Sequence, residues 1–409
     1  MSLNKKSQTY LIVLVAALGY FVDIYDLVLF SVERRDSLLE ILGPNATDLQ
    51  LKNVGMNLLN WQMGGMLVGG LLWGIIGDKK GRLSVLFGSI LLYSLANIIN
   101  GFVQTVPQYA LLRFISGFGL AGELGAGITL VSETMSKEKR GYGTMIVATV
   151  GVFGAVVAGF MGDVITNWRY SYFLGGAMGL VLLLMRMGIL ESGMFKTVKE
   201  SKAKRGNFFM LFQNKKTAIK YLSIIAIAVP VWYVMGILIT FAPEITPKLG
   251  LLEKPDGGKS IMFAYIGITI GDLVSGLMSQ LMKSRKKVLF IFLLLTLVGI
   301  IMYFTVPLTS LFMFYTIITF IGFATGYWAV FMGTASELFG TNIRATATTT
   351  APNFVRGAVI PLSLSFRFIE GYTDTISAAI WVGIIVLVIG FIAVYLLEET
   401  YHKDLDYTE

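Results

Sequence analysis

The 409-residue chain has no cysteine and a single histidine, His402. The first absence excludes disulfides, thiolate nucleophiles and cysteine-bound zinc or iron–sulfur centres. The second excludes histidine metal sites and a buried histidine relay. Charge is also scarce, at 14% of residues, where soluble domains carry about a quarter. With 55% hydrophobic residues and a mean hydropathy of +0.72, the chain cannot cover a water-facing surface, so its solvent is lipid. No polar stretch exceeds roughly 30 residues, which leaves no room for an independent soluble core. A phosphate-cradling Walker sequence is also missing, so ATP is disfavoured as a direct energy source. Proline is sparse (nine) and glycine abundant (45), a balance suited to closely packed membrane helices.

What is present is a series of apolar runs long enough to cross roughly 30 Å of hydrocarbon. They fall near 9–32, 53–77, 84–104, 107–134, 142–165 and 170–191, then 217–242, 260–282, 288–307, 309–336, 344–369 and 375–397. The first follows Lys5 and Lys6 like a signal peptide, but it contains Asp23 and Asp26 and lacks a small-residue cleavage site, so it reads as a retained helix. Residues 34–43 allow a short interfacial helix. Lys and Arg are unevenly shared between the loops: 21 in the N-terminus, alternate loops and tail, eight on the other side. Both termini are therefore expected in the cytoplasm, of a bacterial inner membrane if the source is prokaryotic. A net charge of +8 distributed this way marks topology and does not call for nucleic acid.

The chain divides into an N-terminal six-helix bundle (1–191), a basic linker (192–216) and a C-terminal six-helix bundle with a short tail (217–409). The halves look like repeats: Ser132-Glu133 followed by Arg140 recurs as Ser336-Glu337 followed by Arg344. The expected fold is all-α, twelve transmembrane helices in two six-helix pseudo-repeats, with binding sites near the midplane between them.

Gly74-Ile-Ile-Gly-Asp78-Lys-Lys-Gly81-Arg82 ends the second run and fills a tight loop. Gly81 permits the turn, and Asp78 can pair with cations or a helix N-terminus to hold one side closed. This stretch resembles the signature loop of the major facilitator superfamily, and the twelve-run pattern extends the resemblance over the whole chain. The second copy departs from it: Gln280 replaces the acid, which implies a lock strong around Asp78 and weak around Gln280. Glu133 with Arg140, and Glu337 with Arg344, resemble the cytoplasmic gate pairs of sugar porters, metabolite–proton symporters and organic-ion transporters. Arg113, with Gly117, Gly119 and Gly122, resembles the fourth-helix motif of proton-coupled members. Gly19-Tyr20-Phe-Val-Asp23-Ile-Tyr-Asp26 is similar to the paired-aspartate first helix of aromatic-acid–proton symporters.

The residues themselves support a similar reading. Asp23 and Asp26, three apart, share one helix face. Two ionised carboxylates there would repel, so one carries a proton part of the time. Glu123 and Asp272 stand near the middle of their spans and need a partner or a cavity. Arg356, three residues after Asn353, can engage a substrate carboxylate bidentately; a structural pair with Asp272 or Glu123 is the alternative. Arg186 is close enough to a helix end to snorkel. Tyr20, Asn57, Asn60, Trp61, Gln62, Trp232, Tyr233, Tyr327 and Trp328 complete a candidate cavity lining.

The expected function is secondary active transport by alternating access. The leading form is proton-coupled symport of a small organic anion, with Asp23, Asp26 or Glu123 carrying the proton and Arg356, aided by Arg113, drawing the anion. A neutral solute such as a sugar, export, or a receptor that binds without flux are the alternatives, and sodium is the second-choice coupling ion. No cofactor or metal is called for, and the Ser/His pair or metal cluster of an intramembrane enzyme is missing. One chain supplies both halves, so the expected unit is a monomer in the bilayer acting on a small molecule.

Overall fold

The computed structural model describes residues 5–80, 82–136, 139–191, 208–340, 343–401 and 403, without the side chains of 5–9, 78, 82, 83, 129, 132, 133, 187–191 and 345. The N-terminal half comprises α1 (Lys5–Leu42), α2 (Asp48–Lys80), α3 (Arg82–Asn100), α4 (Val106–Leu120), α5 (Glu123–Thr134), α6 (Arg140–Val164) and α7 (Trp168–Glu191). The C-terminal half comprises α8 (Lys215–Tyr233), continued by a π-helical turn (Val234–Ile239), then α9 (Ala242–Ile245), α10 (Gly257–Leu281), α11 (Arg285–Thr305), α12 (Leu311–Thr325), α13 (Trp328–Leu338), α14 (Arg344–Gly357), α15 (Val359–Glu370) and α16 (Thr375–Leu396). Joined end to end, α4 with α5, α12 with α13, and α14 with α15 make single spans, giving six in each half.

The breaks fall where the sequence weakens the helix. Ala121-Gly122 separates α4 from α5, and Gly326-Tyr327 separates α12 from α13, so the fourth span of each half is interrupted at matching positions. Interrupted spans expose backbone groups near mid-membrane, where they can serve a site. Pro230 lies inside α8, just before the π turn, and leaves a carbonyl without its helical donor. The first helix runs unbroken to Leu42, so the separate interfacial helix expected over 34–43 does not form. It stops only where Gly43 takes a φ of 96° ahead of Pro44, a left-handed cap that glycine tolerates.

Among the described residues, nine of the spans are long and apolar enough to cross a membrane by length and composition. The second, third and eleventh are not among them. The eleventh, α14 with α15, is rich in Thr, Asn and Arg because its polar face is buried in protein: Thr346, Thr348, Thr350, Asn353 and Arg356 are all 1% exposed or less. Helices approach backbone to backbone where glycine allows. A Cβ on Gly117 would stand 2.1 Å from the Gln62 carbonyl oxygen, and one on Gly322 would stand 2.0 Å from that of Ala264. The second and fourth spans of each half are thus pressed together in the same way. The halves meet along α2 against α14 and α6 against α10. The segment 192–207 lies outside the described residues; after it, a 3-10 turn (Phe208–Phe212) leads into α8, with Phe208 stacked on Phe354. The face bearing the start of α1 and the end of α16 is called the inner face below, after the charge-based expectation.

Candidate functional site

Between the halves lies a cavity of about 20 Å³, room for a water or two. Its walls are Tyr20, Ile24 and Val152 from the N-terminal half, and Val231, Trp232, Met235, Tyr265, Ile268, Thr325, Trp328 and Arg356 from the other. A second void of about 10 Å³ shares Trp232, Met235 and Tyr265 and extends to Ser31 and Thr240 near the outer face.

Arg356 is the cation of this cavity. It is 1% exposed, and its Nε and Nη2 have no hydrogen-bond partner. Its guanidinium lies 5.7 Å from the Trp328 ring centre, and the Trp328 indole N–H is also buried without an acceptor. Among the described residues no carboxylate reaches salt-bridge distance of Arg356. The alternative pairings expected for it do not form: Asp272 accepts from the Ala329 amide at 3.0 Å, capping α13, and Glu123 is held by Arg186. A buried cation with idle donors is costly unless something engages it. An anion entering this cavity would meet three N–H groups between aromatic walls.

Asp23 stands one turn above Tyr20 on α1. It is fully buried, both oxygens lack donors, and Arg356 is the charge acting on it most strongly. Asp26 looks elsewhere. Arg113 is the charge nearest in effect, and Asn97 lies beside it. Space for its carboxylate exists because α7 carries Gly175, whose Cβ would fall 2.1 Å from Asp26 Oδ1. The two aspartates therefore serve different arginines.

Several expected cavity residues are elsewhere. Arg113 donates to Asn97 Oδ1 at 2.7 Å and covers the Tyr172 ring at 4.7 Å, inside the N-terminal half. Trp61 is 53% exposed, edge-on to Phe114, on the outward side of α2. Tyr233 donates to the Ala379 carbonyl at 2.6 Å and Tyr327 to that of Ile227 at 2.9 Å, so both phenols brace the C-terminal half. Asn57 accepts from Arg367 at 2.9 Å near the outer face. Asn353 donates to the Ala121 carbonyl at 2.8 Å, tying α14 to the break in the fourth span. Arg186 does not snorkel: it is buried, with hydrogen bonds to both Glu123 oxygens and to the Val15 carbonyl. Residues the sequence reading missed are Ile24, Val152, Val231, Met235, Tyr265, Ile268 and Thr325. Tyr265 was the findable one, as a tyrosine seven positions before Asp272 in the same span.

Both faces are closed by contacts between the halves. On the outer face Arg34, fully buried, donates to Glu244 at 2.9 Å and to the Thr240 carbonyl at 3.2 Å and stacks on Phe241. Arg35 adds a second bond to Glu244 at 2.9 Å, Lys254 joins Asp48 at 2.5 Å and Lys52 joins Glu370 at 2.6 Å. On the inner face Arg140 reaches across to Glu337 at 3.3 Å, and Arg285 grips the same carboxylate at 3.2 Å. Glu337 thus takes Arg140 and Arg285 as ion partners, while Arg344 donates to the Ser336 carbonyl at 3.0 Å. Gln280 is packed tightly: a Cβ on Gly141 would lie 1.8 Å from its Nε2. The region expected to be weakly locked is therefore densely bonded, with Arg140 and Arg285 both paired to Glu337 and Gln280 packed against Gly141. Gly74 faces Thr346 and Thr350 of α14 across the interface. Gly81 and the side chains of Asp78, Arg82 and Glu133 lie outside the described residues.

The comparisons with known proteins agree with this architecture. The chain is 25% identical over 302 residues to a protein of Cupriavidus pinatubonensis named "Probable 4-methylmuconolactone transporter", a match covering 68% of this chain and 66% of that one. It is 27% identical over 302 residues to the 3-(3-hydroxy-phenyl)propionate transporter of Escherichia coli K12, covering 70% of each. Its fold matches the solved structure of the proton:xylose symporter XylE bound to 6-bromo-6-deoxy-D-glucose with a TM-score of 0.71, at 18% identity and 98% coverage of both chains. The sequence profile of the Major Facilitator Superfamily matches residues 16–363, and the chain belongs to that family of membrane transporters.

Proposed function

We propose that the chain carries a small aromatic carboxylate together with a proton by alternating access. The observation that carries this reading is Arg356: a buried cation with idle N–H donors, facing a cavity walled by Tyr20, Trp232, Tyr265 and Trp328. A carboxylate would take the guanidinium bidentately, with the Trp328 indole N–H beside it, and the rings would bury an aromatic body. A relative named for 3-(3-hydroxy-phenyl)propionate, an aromatic carboxylate, lends the reading support.

Proton coupling follows from charge. Arg356 is one positive charge, and of the charges acting on an ionised Asp23 it is the strongest. A substrate carboxylate would bring a second negative charge into the same low-dielectric space, so its binding favours Asp23 in the protonated form. Proton and anion then travel together. The cavity is too small for an aromatic acid while both faces are closed, so one set of bridging contacts must part to admit it. Glu244 and Arg34 hold the outer gate, and Glu337 and Arg140 the inner one. The charge distribution of the loops favours placing both termini in the cytoplasm.

The test is uptake by proteoliposomes with a more acidic exterior. Labelled benzoate and 3-phenylpropionate are compared with xylose, alongside protein-free liposomes that report leak. The expected result is carboxylate uptake above leak, matched by external alkalinisation, and no xylose uptake. Xylose uptake without carboxylate uptake would make the solute neutral, and benzoate binding without flux would make the chain a receptor.

A further inference from the structure

The segment following α16 lies across the inner gate. Glu399 accepts from the amides of Arg285 at 2.9 Å and Lys286 at 3.3 Å and from the Ser284 hydroxyl, so it caps α11. Burial pushes its carboxyl up, but these donors outweigh it and hold it below the ordinary carboxylate range, so it is ionised at neutral pH. Thr400, 1% exposed, donates to Glu337 Oε2 at 2.9 Å. The Tyr401 hydroxyl reaches Gln280 Oε1 at 3.3 Å, and the Arg285 guanidinium stacks on its ring at 5.3 Å. At the far end the Lys403 carbonyl accepts from Arg140 Nη2 at 2.8 Å.

The arrangement is selective. Glu337 and Arg140 form a cross-half ion pair of the inner face, and this segment supplies a further hydrogen bond to each of them. It is anchored on the C-terminal half at α11 and reaches the N-terminal half at Arg140. Parting the inner face therefore breaks the bond to Arg140 and leaves Glu337 to repack.

We propose that Glu399, Thr400, Tyr401 and Lys403 form a latch on the inner gate, joining the halves through Arg140 and setting how readily the inner face opens. This inference rests on the two-gate reading of the transport cycle but not on the identity of the substrate. A latch of this kind shifts the balance between inward-open and inward-closed states and leaves the cavity chemistry untouched.

The cysteine-free chain makes the test clean. Thr144→Cys reports on the inner interface, because Thr144 of α6 is buried and faces Gly333 of α13. Ser31→Cys reports on the outer interface, where Ser31 meets Thr240. Each is labelled with N-ethylmaleimide in purified, detergent-solubilised protein, with and without the latch changes Thr400→Val and Tyr401→Phe. These changes loosen the segment's hold on the C-terminal half and so weaken its bond to Arg140; the Thr144→Cys rate is expected to rise about fivefold or more, while the Ser31→Cys rate stays level or falls. Adding Glu399→Ala should raise it further; if that variant does not fold, the milder pair carries the test. An unchanged Thr144→Cys rate would overturn the latch. An equal rise at both positions would also overturn it, since the segment would then be general scaffolding. Because labelling needs no substrate, the result stands even if no carboxylate is carried.

Discussion

Replacing Glu244 by glutamine is expected to open the outer face. Glu244 neutralises Arg34 and Arg35 together, and Arg34 is fully buried. Without that carboxylate two guanidinium groups would face each other, one of them in low dielectric with only carbonyl acceptors. Breaking a buried pair by removing one partner costs about 3–5 kcal/mol. The pair exists only while the halves are joined at the outer face, so the cost falls on the closed state alone, and the balance moves by roughly two to four orders of magnitude. The π turn and Pro230 sit just before Thr240 and Glu244 in the chain, a weak point about which the released end of the seventh span can swing. The maleimide rate at Ser31→Cys should therefore rise at least about tenfold, and Arg34→Glu combined with Glu244→Arg should bring it back down. No rise would mean that the outer face is held by other contacts.

Asp23→Asn is expected to abolish concentrative uptake while leaving exchange. With one proton per anion, a gradient of two pH units can sustain about a hundredfold accumulation. Asparagine imitates the protonated aspartate, so the anion can still bind beside Arg356, but no proton is taken up with it. Accumulation should fall towards equality across the membrane, and counterflow of labelled against unlabelled benzoate should persist. Full accumulation in this variant would move the proton to Asp26 or Glu123. The geometry argues against Glu123, which both Arg186 nitrogens already hold.

The sequence disclosed the spans and their number, because apolar length is a local property; the interruptions at Ala121-Gly122 and Gly326-Tyr327 were not anticipated. Arg356 and Asp23 were legible for a similar reason: a charge inside an apolar run must face something other than lipid. Trp61 and Tyr233 show the limit of that reasoning. An aromatic residue on a membrane helix is equally plausible on any face, and only the rotation of the helix in the bundle decides whether it meets the cavity, lipid or a neighbouring carbonyl. Long-range pairing was illegible too. Arg34 finds Glu244 across 210 positions and Arg140 finds Glu337 across 197. The expected partner of Glu337 was its near neighbour Arg344, because repeated motifs suggest local pairs. In the structure Glu337 instead pairs with Arg140 of the other half and with Arg285. Asp26 and Arg113, assigned from sequence to proton and anion separately, share Asn97 as a neighbour, and Arg113 is the charge that acts on Asp26.

The most direct measurement is equilibrium binding of benzoate and of its neutral counterpart benzamide to the purified protein, compared among the native chain, Arg356→Ala and Arg356→Lys. If Arg356 receives the carboxylate, the native chain prefers benzoate and Arg356→Ala loses benzoate affinity by about a hundredfold or more. Arg356→Lys should recover only part of it, because an ammonium cannot pair bidentately, and benzamide should respond little to either change. Benzoate affinity unaltered in Arg356→Ala would contradict the account, leaving the central cation without the role on which the proposed transport chemistry depends.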